Sequence, residues 1–489
     1  MTVLCGWVVA VVVLQWLRLQ AGFHYEFEDD ALYHQILANG TLTNTIHPLH
    51  RPSHLPVILL LLHPLHALLG GGWGAVFLLK ALFIGSGSIA IVMLGRSQGL
   101  SQRDAEAWGL VYLLFPPTLM LTFSTFRALS LAIGPLLFVL WAFCAKRWRT
   151  YLWLLCGLLL FREDLALSAV FLAGVAWLRK YPARWTVATI GICAAWFLVT
   201  SRLILPQILP AEYDQIIVQS NLDFGGLSDA THWVAVATLL APLLFLPLGA
   251  WEASIGIVGL ASILLHKSGF AGNLLHLMTP AVAGAMGGAV LSYARIQPKH
   301  RRNTRNAVFL AIVLAHMQPW IPGIVATEHE ANGPPESMYS TEHAWSPFHQ
   351  RYLSGDEYMS TRLEAVQRIP KNASVSATGH FLPLLTPRDT LYEYGHRDTP
   401  FADVDWIILE GRDLYSGAGA YISLLPEDVH KHRQALEQTF HVEHDRDGIL
   451  IFKRIAPGLQ TDRLRNLVPR RQAPPSLRRG VRSPGEETP

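Results

Sequence analysis

HLPVILLLLHPLHALLG, His54 to Gly70, is the run whose reading sets the topology of the whole chain. It is apolar enough to enter a membrane. Broken by Pro64 and studded with histidines, it falls short of the roughly 20 apolar residues that a crossing helix needs. The distribution of Lys and Arg decides its status, because cytoplasmic connections near helix ends collect these residues. Four connections are basic: Arg96 with Arg103, Lys146 to Arg149, Arg179 to Arg184, and Lys299 to Arg305. If His54–Gly70 does not cross, all four share one side. If it crosses, the first three oppose the fourth. We therefore read it as a re-entrant or juxtamembrane helix.

Working outward, apolar runs recur at 2–20, 74–94, 106–122, 128–144, 150–161, 165–179, 184–204, 231–248, 251–266, 274–294 and 307–325. They predict about eleven transmembrane helices. The composition agrees: of 489 residues, 51% are hydrophobic and 15% charged, which excludes an ordinary soluble enzyme. A net charge of +3 gives no footing for nucleic acid. Cys5, Cys144, Cys156 and Cys193 lie in apolar runs without CxxC spacing, so neither disulfides nor zinc is expected. The first run lacks a basic start and a cleavage pattern and reads as a retained helix; an uncleaved signal anchor gives the same pattern. The expected protein is a multi-pass protein of the cell membrane with a cytoplasmic N-terminus. Its outer face then carries the loop 21–73, the turns at Arg127 and Arg162–Asp164, the loop 205–230 and everything after 325.

From 326 to 456 the charge content becomes ordinary. Ser374–Thr378, Asp405–Glu410 and Gly448–Arg454 read as strands, and Asp356–Ile369 and Pro426–Phe440 as helices. This predicts a small extracytoplasmic α/β domain. The Arg-, Pro- and Ser-rich tail 457–489 is predicted to be disordered.

Several groups of residues are candidates for chemistry. FEDDALYHQ (Phe27–Gln35) places Glu28, Asp29 and Asp30 just beyond the first helix, among aromatic residues that favour partial burial and base chemistry. FREDLAL (Phe161–Leu167) places Arg162, Glu163 and Asp164 between two short helices, either as an internal ion pair or facing a cavity. Lys80, inside FLLKALF, either snorkels or neutralises a lipid phosphate, with Arg127, Arg162 and Arg202 near the same face. Seven of the 21 histidines, His34 and His54 among them, fall between 24 and 66. No HExxH or similar spacing accompanies them, so no metal or other cofactor is expected.

This order of parts resembles the GT-C superfamily of glycosyltransferases, which use sugars carried on polyprenyl phosphates. The parts are a first helix, an outer loop opening with acids, a juxtamembrane helix with His and Pro, further helices, and a terminal outer α/β domain. More closely, the chain resembles a prokaryotic polytopic membrane family, domain of unknown function 2079, over about residues 20 to 455. The resemblance rests on FEDDALYHQ, HLPVILLLLHPLHALLG, FREDLAL, IPKNASVSATGHFLPLLTPRDTLYEY, DVDWIILE and DGILIFKR. It implies a GT-C-like transmembrane domain over 1–325. The implied activity is transfer of a sugar from a polyprenyl-phosphate donor to an acceptor at the outer face, with membrane lipid as the other partner. Asp29 matches the family's first acid and would act as base, with Asp30 or Glu28 assisting. Lys80, Arg127 and Arg162 would hold the phosphate, and His54, Glu163, Asp164 and His34 would shape the substrate site. Two departures count against a mechanism with two acids in the first loop: His34 stands where a second acid is usual, and a histidine common near position 128 is missing, with Arg127 nearby. A non-catalytic transporter, or an envelope scaffold that binds lipid, is the alternative reading of the same buried charges.

Overall fold

The computed structural model describes residues 2–20, 27–42, 54–208, 230–265, 277–317, 359–394, 404–410, 433–434 and 436–455. The expected tail, the loop 209–229 and most of the helix expected at Pro426–Phe440 lie outside them. The chain begins with α1 (Thr2–Gln20), α2 (Phe27–Asn39), α3 (Val57–Leu68) and the 25-residue α4 (Trp73–Ser97). Next come α5 (Gln102–Leu114) and α6 (Pro116–Phe123), α7 (Ala128–Leu131) and α8 (Ile133–Cys144), α9 (Trp148–Leu159), α10 (Leu165–Leu178) and α11 (Ala183–Leu198).

At 12 residues α3 is about 18 Å long, well short of a hydrocarbon core of about 30 Å. Its start is fixed by the Ile58 N–H donating to the Leu160 carbonyl at 2.8 Å, and near its end His66 packs edge-on against His34 of α2. Among the described residues, three helices have the length and hydropathy to cross a membrane: Thr2–Gln20, Trp73–Ser97 and Ala183–Gln207. A fourth candidate is the pair α5 and α6, bent by 48°. The bend has a local cause, since Pro116 and Pro117 supply no N–H to the preceding turn and Phe115 is extended. Two of the remaining runs are broken where the sequence suggests continuous helix. The run at 231–248 is helical only to Leu240; Pro242, Pro247 and the left-handed Leu244 and Phe245 then turn it into 3-10 segments. The run at 251–266 likewise starts as a 3-10 turn, Trp251–Gly256.

The helical core is built around α4, which packs on α1, α5 and α8. Gly134 of α8 lets the two backbones meet, because a Cβ there would run into the Phe83 carbonyl. The four basic connections gather at one end of this core. Arg305 pairs with Asp104 at 2.7 Å, Lys146 stands over the Tyr181 ring, Arg184 lies over Trp148, and Arg179 grips Glu252 at 2.6 Å with Arg295 beside it. The opposite helix ends, those at Trp73, Phe123 and Leu159, meet α2 and α3.

The C-terminal part is a five-stranded sheet among the described residues, in the order β2-β1-β3-β5-β4. β1 (Val375–Ala377) pairs in parallel with β2 (Leu391–Glu393) and β3 (Trp406–Glu410). β5 (Ile449–Arg454) pairs antiparallel with β3 and with β4 (Phe440–Arg446). β1, β3 and β5 fall in the three stretches predicted as strands, and Met359–Gln367 in the stretch predicted as helix. β3 is buried along its whole length, as expected of a central strand that is continuously apolar. Asp447 and Gly448, both at positive φ, make the tight turn joining β4 to β5. Ala31 of α2 packs into the core on one face of the sheet, which ties this part to the helical one.

Inside the sheet domain, Arg362 forks onto Glu410 through two hydrogen bonds of 2.8 Å, with both side chains nearly inaccessible. Arg362→Met leaves a buried carboxylate without its cation and is expected to cost about 3–5 kcal/mol. Arg362→Met combined with Glu410→Leu is expected to recover most of that loss; thermal unfolding of the purified protein measures both.

Candidate functional site

The site is organised by a helix that stops inside the protein, α6, all of whose residues are buried. α6 ends at Phe123; the Ser124 N–H still donates to the Met120 carbonyl, and Thr125 to Arg127 continue outside any helix before α7 begins. The last carbonyls of such a helix lack intrahelical partners and need donors from elsewhere. Arg18 of α1 donates to the Phe123 carbonyl, and Lys80 of α4 to the Ser124 carbonyl and, at 3.4 Å, to that of Thr125. On the other side of the segment, the Phe126 N–H donates to Oδ1 of Asp30 at 2.6 Å. Three ionisable side chains from three helices thus serve four successive residues.

The same three side chains line a cavity that opens to solvent. Gln15 and Ser124 complete its polar wall, and Trp73, Phe77, Phe123 and Phe126 supply aromatic faces. Arg18, Asp30 and Lys80 are all buried, Lys80 with 1% exposure. Two cations against one carboxylate leave the lining net positive, an arrangement suited to an anion beside an apolar body.

Of the residues expected from the sequence, Asp30 and Lys80 meet in this cavity. Glu28 and Asp29 lie on α2, but their side chains fall outside the described residues. His54, Glu163 and Asp164 form a separate group. Glu163 takes Nδ1 of His54 at 2.5 Å on one oxygen and the Leu55 N–H at 3.0 Å on the other. Burial pushes the Glu163 carboxyl up, but the His54 hydrogen bond and charge, the Arg162 charge and the Leu55 N–H outweigh it and hold the group at about 2. Arg162 turns to Asp164 at 2.9 Å, and Arg127 precedes the first turn of α7. None of these side chains lines the cavity; Glu163 instead pins the start of α3 to the turn between α9 and α10. Arg202 lies in the π-helical turn Val199–Ile204, also apart from the cavity.

His34 lies at the junction with the sheet domain. It is fully buried, with Nδ1 3.0 Å from the Thr386 hydroxyl and its ring 4.4 Å from that of Trp73. Its neighbour Gln35 donates to the Arg388 carbonyl and accepts from the Arg388 N–H. Trp73 belongs to both regions, lining the cavity while its indole N–H donates to the Pro383 carbonyl at 2.8 Å. Burial above all, then the charge of His66, lowers the His34 imidazole to about 3 against weaker opposing effects from Gly71 and Asp30. Of the ten lining residues, sequence reasoning named only Asp30 and Lys80; Gln15, Arg18, Trp73 and Phe126 are among those it missed. For the first two there was a signal, two polar residues three apart in an otherwise apolar helix; for the aromatic pair there was none.

A helical membrane core with a short juxtamembrane helix, a charged cavity at one end and a small C-terminal sheet together make a GT-C-like fold. The same fold is seen in ArnT from Cupriavidus metallidurans bound to undecaprenyl phosphate. That structure aligns with a TM-score of 0.56 at 13% identity, over 93% of this chain and 98% of the other. The apo state of the same protein aligns with a TM-score of 0.48 at 14% identity, over 93% and 99%. At these identities the likeness is one of fold. The model of the family described as predicted membrane protein (DUF2079) matches residues 39–451, and the chain belongs to that family. No curated protein sequence matches it.

Several groups tie stability to acid, His34 and Glu163 most strongly. His34 has a folded value of about 3 against 6.5 when unfolded, so the unfolded chain binds more protons and stability falls as pH drops from about 6.5 toward 3. Glu163, at about 2 against 4.5, contributes stability above about pH 4.5 that is lost as pH falls toward 2. The melting temperature in detergent is expected to decline from pH 6.5 downward on account of these groups. His34→Gln should lessen the decline between pH 6.5 and 4.5, leaving the share of His66, which burial also lowers, and the steeper acid limb.

Proposed function

We propose that this protein is a membrane glycosyltransferase that moves a sugar from a polyprenyl-phosphate donor to an acceptor hydroxyl at the outer face. The observation that carries the reading is the convergence of Asp30 with Lys80 and Arg18 on one cavity beside α2. The GT-C-like fold shared with a protein solved with undecaprenyl phosphate supports the lipid-phosphate donor. The gathering of the basic connections at the opposite end supports an outward-facing cavity, with the N-terminus cytoplasmic and the sheet domain outside.

In this reading Asp30 takes the acceptor hydroxyl proton as the oxygen attacks the anomeric carbon. The glycosidic bond forms, the bond from that carbon to the carrier phosphate breaks, and its electron pair stays on the phosphate. Lys80 and Arg18 face the charge that grows there, which is the electrostatic contribution expected to lower the barrier most. The aromatic wall receives the sugar ring and the first isoprene units. The pair His54–Glu163 acts at a distance by holding α3 along α2.

The test is transfer from a labelled lipid-linked sugar by the full-length protein in reconstituted membranes. Asp30→Asn keeps an oxygen for the Phe126 N–H and so preserves the fold, yet removes the base; turnover is expected to drop about 100- to 10,000-fold. Turnover equal to the wild type would overturn the role of Asp30. Binding of lipid phosphate by the wild type without any transfer would make the protein a lipid-binding scaffold instead.

A further inference from the structure

α1 is mostly turned toward lipid: Val9, Val13, Trp16 and Leu17 are exposed on one side of it. Its inward stripe runs Val8, Val11, Gln15 and Arg18, with steps of three, four and three that keep one helical face. The stripe is apolar where it packs on α4 and turns polar at the level of the cavity. Gln15 is only 6% exposed and lines the cavity, and its amide nitrogen has no hydrogen-bond partner among the described residues. A buried amide N–H left unsatisfied is costly, the more so at membrane depth, so a residue without a structural partner there calls for another explanation. Apolar residues fill the equivalent stripe positions one and two turns earlier without difficulty.

We infer that Gln15 binds the phosphate of the lipid carrier, donating its amide N–H to a phosphate oxygen while Arg18 and Lys80 supply the countercharge. This rests on the reading of the cavity as a lipid-phosphate site. It adds that the headgroup lies against α1, the helix that separates the cavity from the bilayer. A lipid-borne phosphate then needs only to pass the edge of α1, with its isoprenoid chain still in the hydrocarbon. An amide suits this position because it adds a donor without a further charge. It is also indifferent to whether the phosphate carries one negative charge, as in the sugar-linked donor, or two, as in the released carrier.

The experiment measures binding of undecaprenyl phosphate, undecaprenol and inorganic phosphate to the full-length protein in nanodiscs. Gln15→Met keeps the size of the side chain and removes the donor. It is expected to weaken undecaprenyl phosphate binding about 10-fold or more, leave the weak binding of undecaprenol unchanged, and leave the melting temperature of the ligand-free protein unchanged or raised. Inorganic phosphate at matched concentration is expected not to compete. Wild-type affinity of Gln15→Met for undecaprenyl phosphate would overturn the inference and leave the proposed transfer activity standing. So would a melting temperature lowered by the substitution, since the amide would then be structural. Competition by inorganic phosphate as strong as by the lipid would overturn the lipid origin of the phosphate. A wild type that binds undecaprenyl phosphate in a Gln15-dependent way but transfers no sugar would remove the transferase reading and leave this inference intact.

Discussion

The interaction on which the site depends is the satisfaction of a broken helix by three ionisable side chains. Pro116 and Pro117 bend the α5–α6 pair, and α6 stops at Phe123 with its last carbonyls at a buried helix end that needs donors. Arg18, Lys80 and Asp30 answer this with two donors to carbonyls and one acceptor for an N–H. The same contacts explain why these charged side chains are buried and face inward. They also hold α1, α2 and α4 at fixed distances around a polar hollow, so the architecture that stabilises an irregular backbone is also the one that shapes the cavity.

A second constraint is how the outer parts are attached. α3 is too short to cross and is anchored instead, at its start by Glu163 and Leu160 and near its end by packing against His34. α2 is sandwiched between α3 and the sheet domain, with Ala31 in the sheet's core and Gln35 bonded to Arg388 in both directions. The residues of FEDDALYHQ therefore divide their work. Asp30 faces the cavity, while His34 and Gln35 face the sheet. The placement of His34 gives a physical account of a histidine where the resemblance leads one to expect an acid: its neutral ring packs in a buried junction that would penalise a carboxylate heavily.

Much of this was legible in the sequence, and the residues show why the rest was not. The strands at 375–377, 406–410 and 449–454 followed from alternation and apolar content, both local signals. Lys80 and the acids near residue 30 stood out because charge at membrane depth is expensive. The short length of several helices was not legible, since hydropathy averages do not register left-handed residues such as Leu244 and Phe245. The partner of His34 lies 352 residues away along the chain, and no pattern near residue 34 points to it. Gln15 and Arg18 were overlooked because an apolar first helix reads as an anchor, although their spacing of three was in plain view.

The clasp around residues 123–126 also has a direction in time. Arg18, Asp30 and Lys80 all precede the backbone they serve, so during synthesis they enter the membrane before their partners exist. At about 5–20 residues per second, the 46 residues from Lys80 to Phe126 take several seconds to appear. Over that interval three ionisable groups have only each other, lipid headgroups and the insertion machinery for company. The unwound segment, on arrival, is captured by groups already waiting. The sheet domain, whose residues come last, then closes over an assembly whose polar interior is complete.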